Sequence, residues 1–278
     1  MFKERNGFKK MVIQNLSCWV PPPGKVYDRM KNRVVDVEIY SRSAIAAHQY
    51  WEIPPVPEGY TGKRRKEKAH QVKDPLYFDP ELEKYRRQEW FRRLNGFWFM
   101  NNGKPVYVTG LHYFYMCYWK MDTGYPDFRY PDLLYFYFWQ YCLEDPDCGG
   151  MLCIAQRRQG KTYRASVSQF EVISRVRNAI GVIQSKSKDD AKKFFIHHVV
   201  EPFKKLPDFF VPEYDKSQGT SPKNELRFFA TSKKGELVEY EEKDALNSLI
   251  NYGPANEKHY DGWMLKIGVI DEFGKVDE

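Results

Sequence analysis

Several things are scarce in this 278-residue sequence, and each shortage removes a class of protein. Its longest apolar runs are broken by charge or proline well before 18 residues, so no transmembrane helix is expected. The first residues, MFKERNGFKKMVIQNL, mix charges of both signs with no adequate apolar core, unlike a secretory signal peptide. A cytosolic setting is the expectation. Five cysteines (Cys18, Cys117, Cys142, Cys148, Cys153) make an odd set with no C-x-x-C pair, which argues against a disulfide framework or a zinc ribbon. Burial as small hydrophobes is expected for most of them. The six histidines do not group: His197 and His198 point apart on a helix, His112 sits among aromatics, and none has metal-ligand spacing. No Gly-x-Ser-x-Gly elbow, Cys/His nucleophile signature, internal repeat or long Ser/Gly/Gln tract appears. What remains is a chain with a net charge of +7, 42% hydrophobic and 17% aromatic residues, enough to build a substantial core.

Residues 1–78 read as a loop-rich, basic N-terminal extension. Pro21-Pro22-Pro23-Gly24 and Pro54-Pro55-Val56-Pro57 punctuate it, Lys63 to Lys68 form a basic run, and one helix is expected around Ser43 to Trp51. The basic run reads as a solvated loop, with contact to a phosphate backbone as the alternative. From Asp79 a helix is predicted, with Pro80 at its first position, Glu81 and Glu83 in the first turn and Gly96 past its end. Glu83/Arg87 and Glu89/Arg93 at i,i+4 predict that one face of it is wet. Phe97 to Val108 reads as a hairpin around Asn101-Asn102-Gly103. Between Phe97 and Tyr141 there are 18 aromatics in 45 residues but few basic ones, a pattern favouring a packed aromatic core over a base-stacking platform. A helix over Pro131 to Leu143 leads to the acidic turn Glu144 to Asp147.

Past residue 149 strands and helices alternate, which predicts an α/β unit with a largely parallel sheet. The expected elements are a strand over Gly150 to Ala155, a helix over Lys161 to Val176 and a strand over Ala179 to Gln184. A helix capped by Ser187 and interrupted at Pro202, a hairpin over Glu225 to Tyr240 and a last strand over Leu265 to Ile270 follow. The expected organisation is thus 1–78 and a second domain over 79–278, the latter comprising an aromatic-rich subregion (79–148) and an α/β core (149–278); the motifs described next make this the expected ATPase domain, with 79–148 on its adenine side.

The chemistry lies in Ala155-Gln156-Arg157-Arg158-Gln159-Gly160-Lys161-Thr162, between an expected strand and an expected helix. Such a turn points backbone N–H groups and a helix N-terminus at phosphates, Lys161 reaches the terminal phosphates, and the Thr162 hydroxyl can hold Mg²⁺. Ala155 stands where GxxxxGK[ST] has its first glycine. Asp271-Glu272, closing an apolar strand, supplies the complement: Asp271 for the Mg²⁺ shell and Glu272 to orient and polarise the attacking water. Together the two motifs predict a P-loop NTPase of the additional-strand, catalytic-glutamate type that hydrolyses ATP with Mg²⁺. Arg157 is the first candidate for an arginine finger in cis and Arg158 the second, the alternative for either being a carboxylate pair or a nucleic-acid contact. Gln140 is a candidate to read the adenine edge, with Arg129 and Tyr130 as rivals and a surface or capping role as its ordinary reading.

In these motifs the sequence resembles the ATPase domain of the large terminase subunit, the DNA-packaging motor of tailed double-stranded DNA viruses. The resemblance runs from about Asn95 to the end. It is carried by Arg157 to Thr162, by Asp189 to Phe194 after Ser187, and by Tyr260-Asp261-Gly262 leading to Val269-Ile270-Asp271-Glu272-Phe273-Gly274-Lys275. Gly110 to Tyr115 and Asp127-Phe128-Arg129 add to it. The resemblance implies that a non-glycine first loop position and an arginine within the loop are normal, and that the adenine-contacting glutamine lies upstream, where Gln140 matches best. It further implies translocation of double-stranded DNA into a procapsid, with a portal protein and a small terminase subunit as partners. A homo-oligomeric ring on the portal, in the host cytoplasm at the procapsid vertex, is implied as well. The family's coupling motif and nuclease domain are expected beyond residue 278, so the chain is expected to be an N-terminal portion, aggregation-prone or weakly active alone, that does not cut DNA. The rival readings are a helicase-type P-loop translocase and a nucleotide-responsive module that docks to a portal without turnover.

Overall fold

The Asn102-Gly103 turn folds as its chemistry predicts in a computed structural model of the chain, which describes residues 7–13, 16–41, 80–156, 158–214, 222–229, 246–254, 262 and 264–272. Both turn residues take positive φ, 50° and 75°, the twist a two-residue hairpin requires. They join β6 (Phe97–Asn101) to β7 (Lys104–Val108) as an antiparallel pair. The chain forms two compact units, Met1–Ile154 and Ala155–Glu278.

The first unit opens with five short strands where loops are predicted. β1 (Lys9–Ile13) pairs antiparallel with β2 (Leu16–Val20), β3 (Lys25–Asp28) with β4 (Arg33–Asp36), and β5 (Ile39–Tyr40) runs parallel to β6. Pro21-Pro22-Pro23-Gly24 forms the turn between β2 and β3, strands too short to show a period, and Pro54 to Pro57 lie outside the described residues. The predicted helix around Ser43 to Trp51 and the basic run at 63–68 lie outside the described residues.

Three helices of this unit lie among the described residues: α1 (Pro80–Asn95), α2 (Gly110–Tyr118) and α3 (Tyr130–Glu144). Thr109 caps α2, its hydroxyl accepting from the His112 N–H, and every residue of that helix is buried. The aromatic segment is a core: Phe99, Phe114, Tyr115, Trp119, Phe136 and Tyr137 are all fully buried. His112 is stacked there against Phe136 with ring centres 4.8 Å apart. The expected wet face of α1 is only half right. Arg87 reaches Glu83 at 2.6 Å on the surface, but Glu89 is fully buried with Arg92, and Arg93 is buried against the Phe114 ring. The Tyr113 and Tyr118 hydroxyls and the Arg92 guanidinium all donate to Glu89, which is how its charge is accommodated inside.

The second unit is a four-stranded mixed sheet with α4 (Lys161–Ile173) packed on it. Its strands are β8 (Ile180–Ser185), β9 (Glu225–Phe228), β10 (Ser248–Pro254) and β11 (Leu265–Ile270), in the order β11-β8-β10-β9. β8, β10 and β11 are mutually parallel and β9 is antiparallel, a mixed α/β arrangement. The sequence reading misses β10, whose Asn251, Gly253 and Pro254 read as turn residues. The second half of the predicted 225–240 hairpin lies outside the described residues. After β8, Ser187 caps α5 (Lys188–Phe194) through the Asp190 N–H; a wider turn over Phe195–Val200 and α6 (Glu201–Lys204), with Pro202 in its first turn, continue the same run.

One expected element is missing. Residues 151–156 form no strand, and Leu152 and Ile154 are 79% and 90% exposed. An apolar run becomes a strand only with a ladder to join, and among the described residues nothing pairs with this segment. The far edge of β11 likewise carries no further strand among the described residues. No helix among them is long and apolar enough to cross a membrane.

Candidate functional site

Gly160 is the pivot of the candidate loop. It sits at φ 73° in the left-handed region and caps α4, with its carbonyl accepting from the Arg164 N–H. Arg158, exposed, also has positive φ, at 66°. The N-cap Gly160 has no side chain to cap α4 and no acidic residue occupies its first turn, so the positive end of the helix dipole lies at Lys161 and Thr162 without a carboxylate of its own first turn. Both of these residues, with Gln159 and Gly160, are half-buried; Ala155 is half-buried and Gln156 exposed. Arg157 lies outside the described residues.

Packing fixes where this end of α4 points. Gln169 donates from Nε2 to the Val182 carbonyl at 2.7 Å, and Ile173 lies against Gly181, where an added Cβ would meet its side chain at 2.8 Å. Moving from Ile173 back to Gln169 therefore advances along β8, so helix and strand run antiparallel. Eight further residues, roughly 12 Å of helix, carry Lys161 towards the C-terminal end of the strands. The same sheet edge holds Asp271 and Glu272, because the Asp271 N–H donates to the Gln184 carbonyl at 2.9 Å and extends the β11–β8 ladder past Ile270. α4 also packs against β11 itself. Lys161, Thr162, Asp271 and Glu272, chosen from the sequence for their chemistry, thus share one edge of one sheet.

The acidic pair is locally specific. Asp271 Oδ1 accepts from the Glu272 N–H at 3.1 Å, and Glu272 takes φ 53°, a left-handed conformation that disfavours side chains with a Cβ. The Glu272 carboxylate meets Lys186 Nζ at 3.3 Å. Lys186 also lies 3.9 Å from Asp190, which accepts a hydrogen bond from the Ser187 hydroxyl at 2.7 Å and stands 3.8 Å from Lys193. The Ser187 hydrogen bond, helped by the two lysines, holds the Asp190 carboxyl below its ordinary range. Lys186 and Asp190 had no assigned role from sequence. Their only signal is local: Ser187 three residues before Asp190 at a helix start, and Lys186 four residues before it.

The adenine-side candidates are engaged within the first unit. Gln140 Nε2 donates to Glu144 Oε1 at 2.8 Å, Arg129 holds buried Asp132 at 2.9 Å, and Tyr130 is exposed at the start of α3. Gln140 is half-buried, and its side chain is paired with Glu144 one turn further along α3. Thr162 and Asp271 offer a hydroxyl and a carboxylate oxygen from two packed elements, hard donors of the type Mg²⁺ takes. Among the described residues there is no group of three His, Cys, Asp or Glu able to hold a metal without further ligands. Compared with protein-family models, with curated proteins and with solved structures, the chain matches none.

Proposed function

We propose that the chain is the ATP-hydrolysing motor portion of a DNA-packaging machine of the large-terminase type, a P-loop ATPase acting on double-stranded DNA. The observation that supports it most is that two motifs far apart in sequence, Gly160-Lys161-Thr162 and Asp271-Glu272, lie towards the C-terminal end of the parallel strands of a mixed sheet. That is the position where α/β sheets bind ligands. The reading rests on α4 and β11, and not on a strand before the loop.

In this reading the uncapped N–H groups of α4 and the Lys161 ammonium bind the nucleotide phosphates. Thr162 and Asp271 would hold Mg²⁺, which supplies charge neutralisation on the phosphates when bound. Glu272 accepts a hydrogen bond from the attacking water and aims it at the terminal phosphate. Arg157 stabilises charge developing there, with Arg158 as its alternative. The backbone of Ala155, Gln156 and Gln159 completes the cradle. Portal protein and small terminase subunit are the proposed protein partners, engaged as a ring.

The test separates binding from turnover, using equilibrium titration of Mg-ATP beside single-turnover phosphate release, with and without duplex DNA. Lys161→Ala should weaken both. Glu272→Gln should keep binding and lose hydrolysis by ~10²-fold or more, and Arg157→Ala should behave alike with a loss of ~10³-fold. Glu272→Gln turning over at the unmutated rate would overturn the assignment. Nucleotide binding with no phosphate release by the unmutated chain would favour the docking module, and strand separation the helicase.

A further inference from the structure

The residue opposite Glu272 is set by strand register. β8 and β11 are parallel neighbours with Ile270 across from Gln184, so continuing the ladder two residues brings Glu272 level with Lys186. Their charges meet at 3.3 Å, with the Lys186 side chain 39% and the Glu272 side chain 30% exposed. Glu272 is thus committed to a cation while in an unfavourable backbone conformation. Lys186 has a second anionic neighbour in Asp190, which the Ser187 hydroxyl and Lys193 hold in place.

We infer that Lys186 is a positioning residue that restrains Glu272, and that turnover requires the Lys186 ammonium to change partner from Glu272 to a phosphate oxyanion. This rests on the ATPase reading above. A carboxylate paired with an ammonium is stabilised in its charged form and is a weaker base towards a water proton; freeing it restores the base. Phosphate is the fitting competitor because it is a multiply charged oxyanion, and Lys188, Lys192 and Lys193 on α5 outnumber Asp189 and Asp190 there, leaving a net positive element beside Lys186. The phosphate belongs either to the bound nucleotide or to DNA. Asp190 opposes the restraint, since each moment Lys186 spends with Asp190 is one in which Glu272 is released.

Two substitutions with opposite expected signs test this. Lys186→Gln should raise the DNA-free single-turnover rate at saturating Mg-ATP by about 2- to 5-fold, the scale of a partly exposed ion pair. Lys186→Arg should restore the slower rate. Asp190→Asn should slow turnover, because Lys186 then has Glu272 as its sole partner here. Damage to the structure would lower rates in all three and could not produce the increase. Loss of duplex-DNA stimulation in Lys186→Gln identifies the DNA backbone as the competing phosphate; a retained stimulation on the raised rate identifies the nucleotide. The inference is overturned if Lys186→Gln leaves the rate at saturating Mg-ATP unchanged or lowers it. Failure of the ATPase reading looks different: the unmutated chain then neither binds Mg-ATP nor releases phosphate, and both ideas fall together.

Discussion

Removing the Glu89 carboxylate strands charge in the core of the first unit, and the consequence can be sized from its contacts. Glu89 is fully buried; Tyr113 donates to Oε2 at 2.6 Å, Tyr118 donates to the same oxygen, and Arg92 Nη1 donates to Oε1 at 2.7 Å. In Glu89→Ala the Arg92 guanidinium loses its carboxylate and keeps the Tyr40 hydroxyl and the ring faces of Tyr40, Phe97 and Tyr113, 4.9, 5.4 and 6.0 Å from its centre. Breaking a buried pair in this way costs ~3–5 kcal/mol. Replacing the pair by apolar residues of similar volume is often close to neutral. Glu89→Leu with Arg92→Met still leaves the Tyr113 hydroxyl without its acceptor, worth ~1–3 kcal/mol, whereas Tyr118 keeps the Tyr85 hydroxyl at 3.2 Å. Adding Tyr113→Phe removes that residual cost, so the triple variant should be more stable than Glu89→Ala. Six of the seven tryptophans (Trp19, Trp51, Trp90, Trp98, Trp119, Trp139) fall within Met1–Ile154, so tryptophan emission during urea unfolding follows this unit. With a slope of ~2 kcal/mol per molar urea, Glu89→Ala should lower the midpoint by about 2 M. A drop below about 0.5 M, or a triple variant less stable than the single one, would refute the reasoning.

Three other outcomes follow from the same coordinates. Gly110→Ala should prevent the first unit from folding, because an added Cβ would lie 1.9 Å from the Arg93 backbone oxygen; near-ultraviolet circular dichroism of purified protein reads this, and a native aromatic spectrum would contradict it. Brief alkylation at neutral pH should label exposed Cys153 well before Cys18 and Cys117, whose thiols burial pushes up, to about 11 for Cys18; peptide mapping checks the order, and slow labelling of Cys153 would mean that residues 151–156 are covered. Glu83 is held at about 2 by hydrogen bonds from Arg86 and Arg87, below its ordinary 4.5, so its contribution is present above pH 4.5 and disappears as pH falls towards 2. Both arginines are largely exposed, which keeps that contribution under about 1 kcal/mol; the urea midpoints of the parent and Glu83→Gln should differ slightly at pH 5 and converge near pH 2.

What could be read from the sequence depended on whether local chemistry or a distant partner decides an element. Helix α1 was legible at both ends, from Pro80 and from Gly96, the latter at φ 93°. Its faces were not, because the buried stripe Tyr85, Glu89, Arg92, Arg93 contains three charged residues whose partners come from elsewhere: Tyr113 and Tyr118 from α2, Tyr40 from β5. Polarity marks such positions as wet unless those partners are known. The aromatic segment was legible as core because burial there needs no special partner. β10 was not, since Asn251, Gly253 and Pro254 carry turn chemistry, and only flanking by β8 and β9 makes them a strand. The segment over 150–155 fails in the opposite sense: its composition favours a strand, but composition cannot supply the neighbour that a ladder requires.

The candidate site divides along the same line. Lys161, Thr162, Asp271 and Glu272 each end or begin an element, and the signals for those ends are local: a glycine before a helix, an apolar run before two acids. Lys186 directly follows β8, yet nothing near it in sequence points to Glu272, 86 positions away. That contact exists because β11 lies beside β8 and not beside β10, which precedes it in the chain. Had the last strand paired with its sequence neighbour, Lys186 would face a different residue and Glu272 would lack its cation. A slip of one residue in the β11–β8 register would be as disruptive, moving Asp271 level with Lys186 and turning every β11 side chain to the opposite face. The main-chain hydrogen bond from Asp271 to Gln184 opposes that slip, so the same bond that extends the ladder also decides which of the two acids meets the lysine.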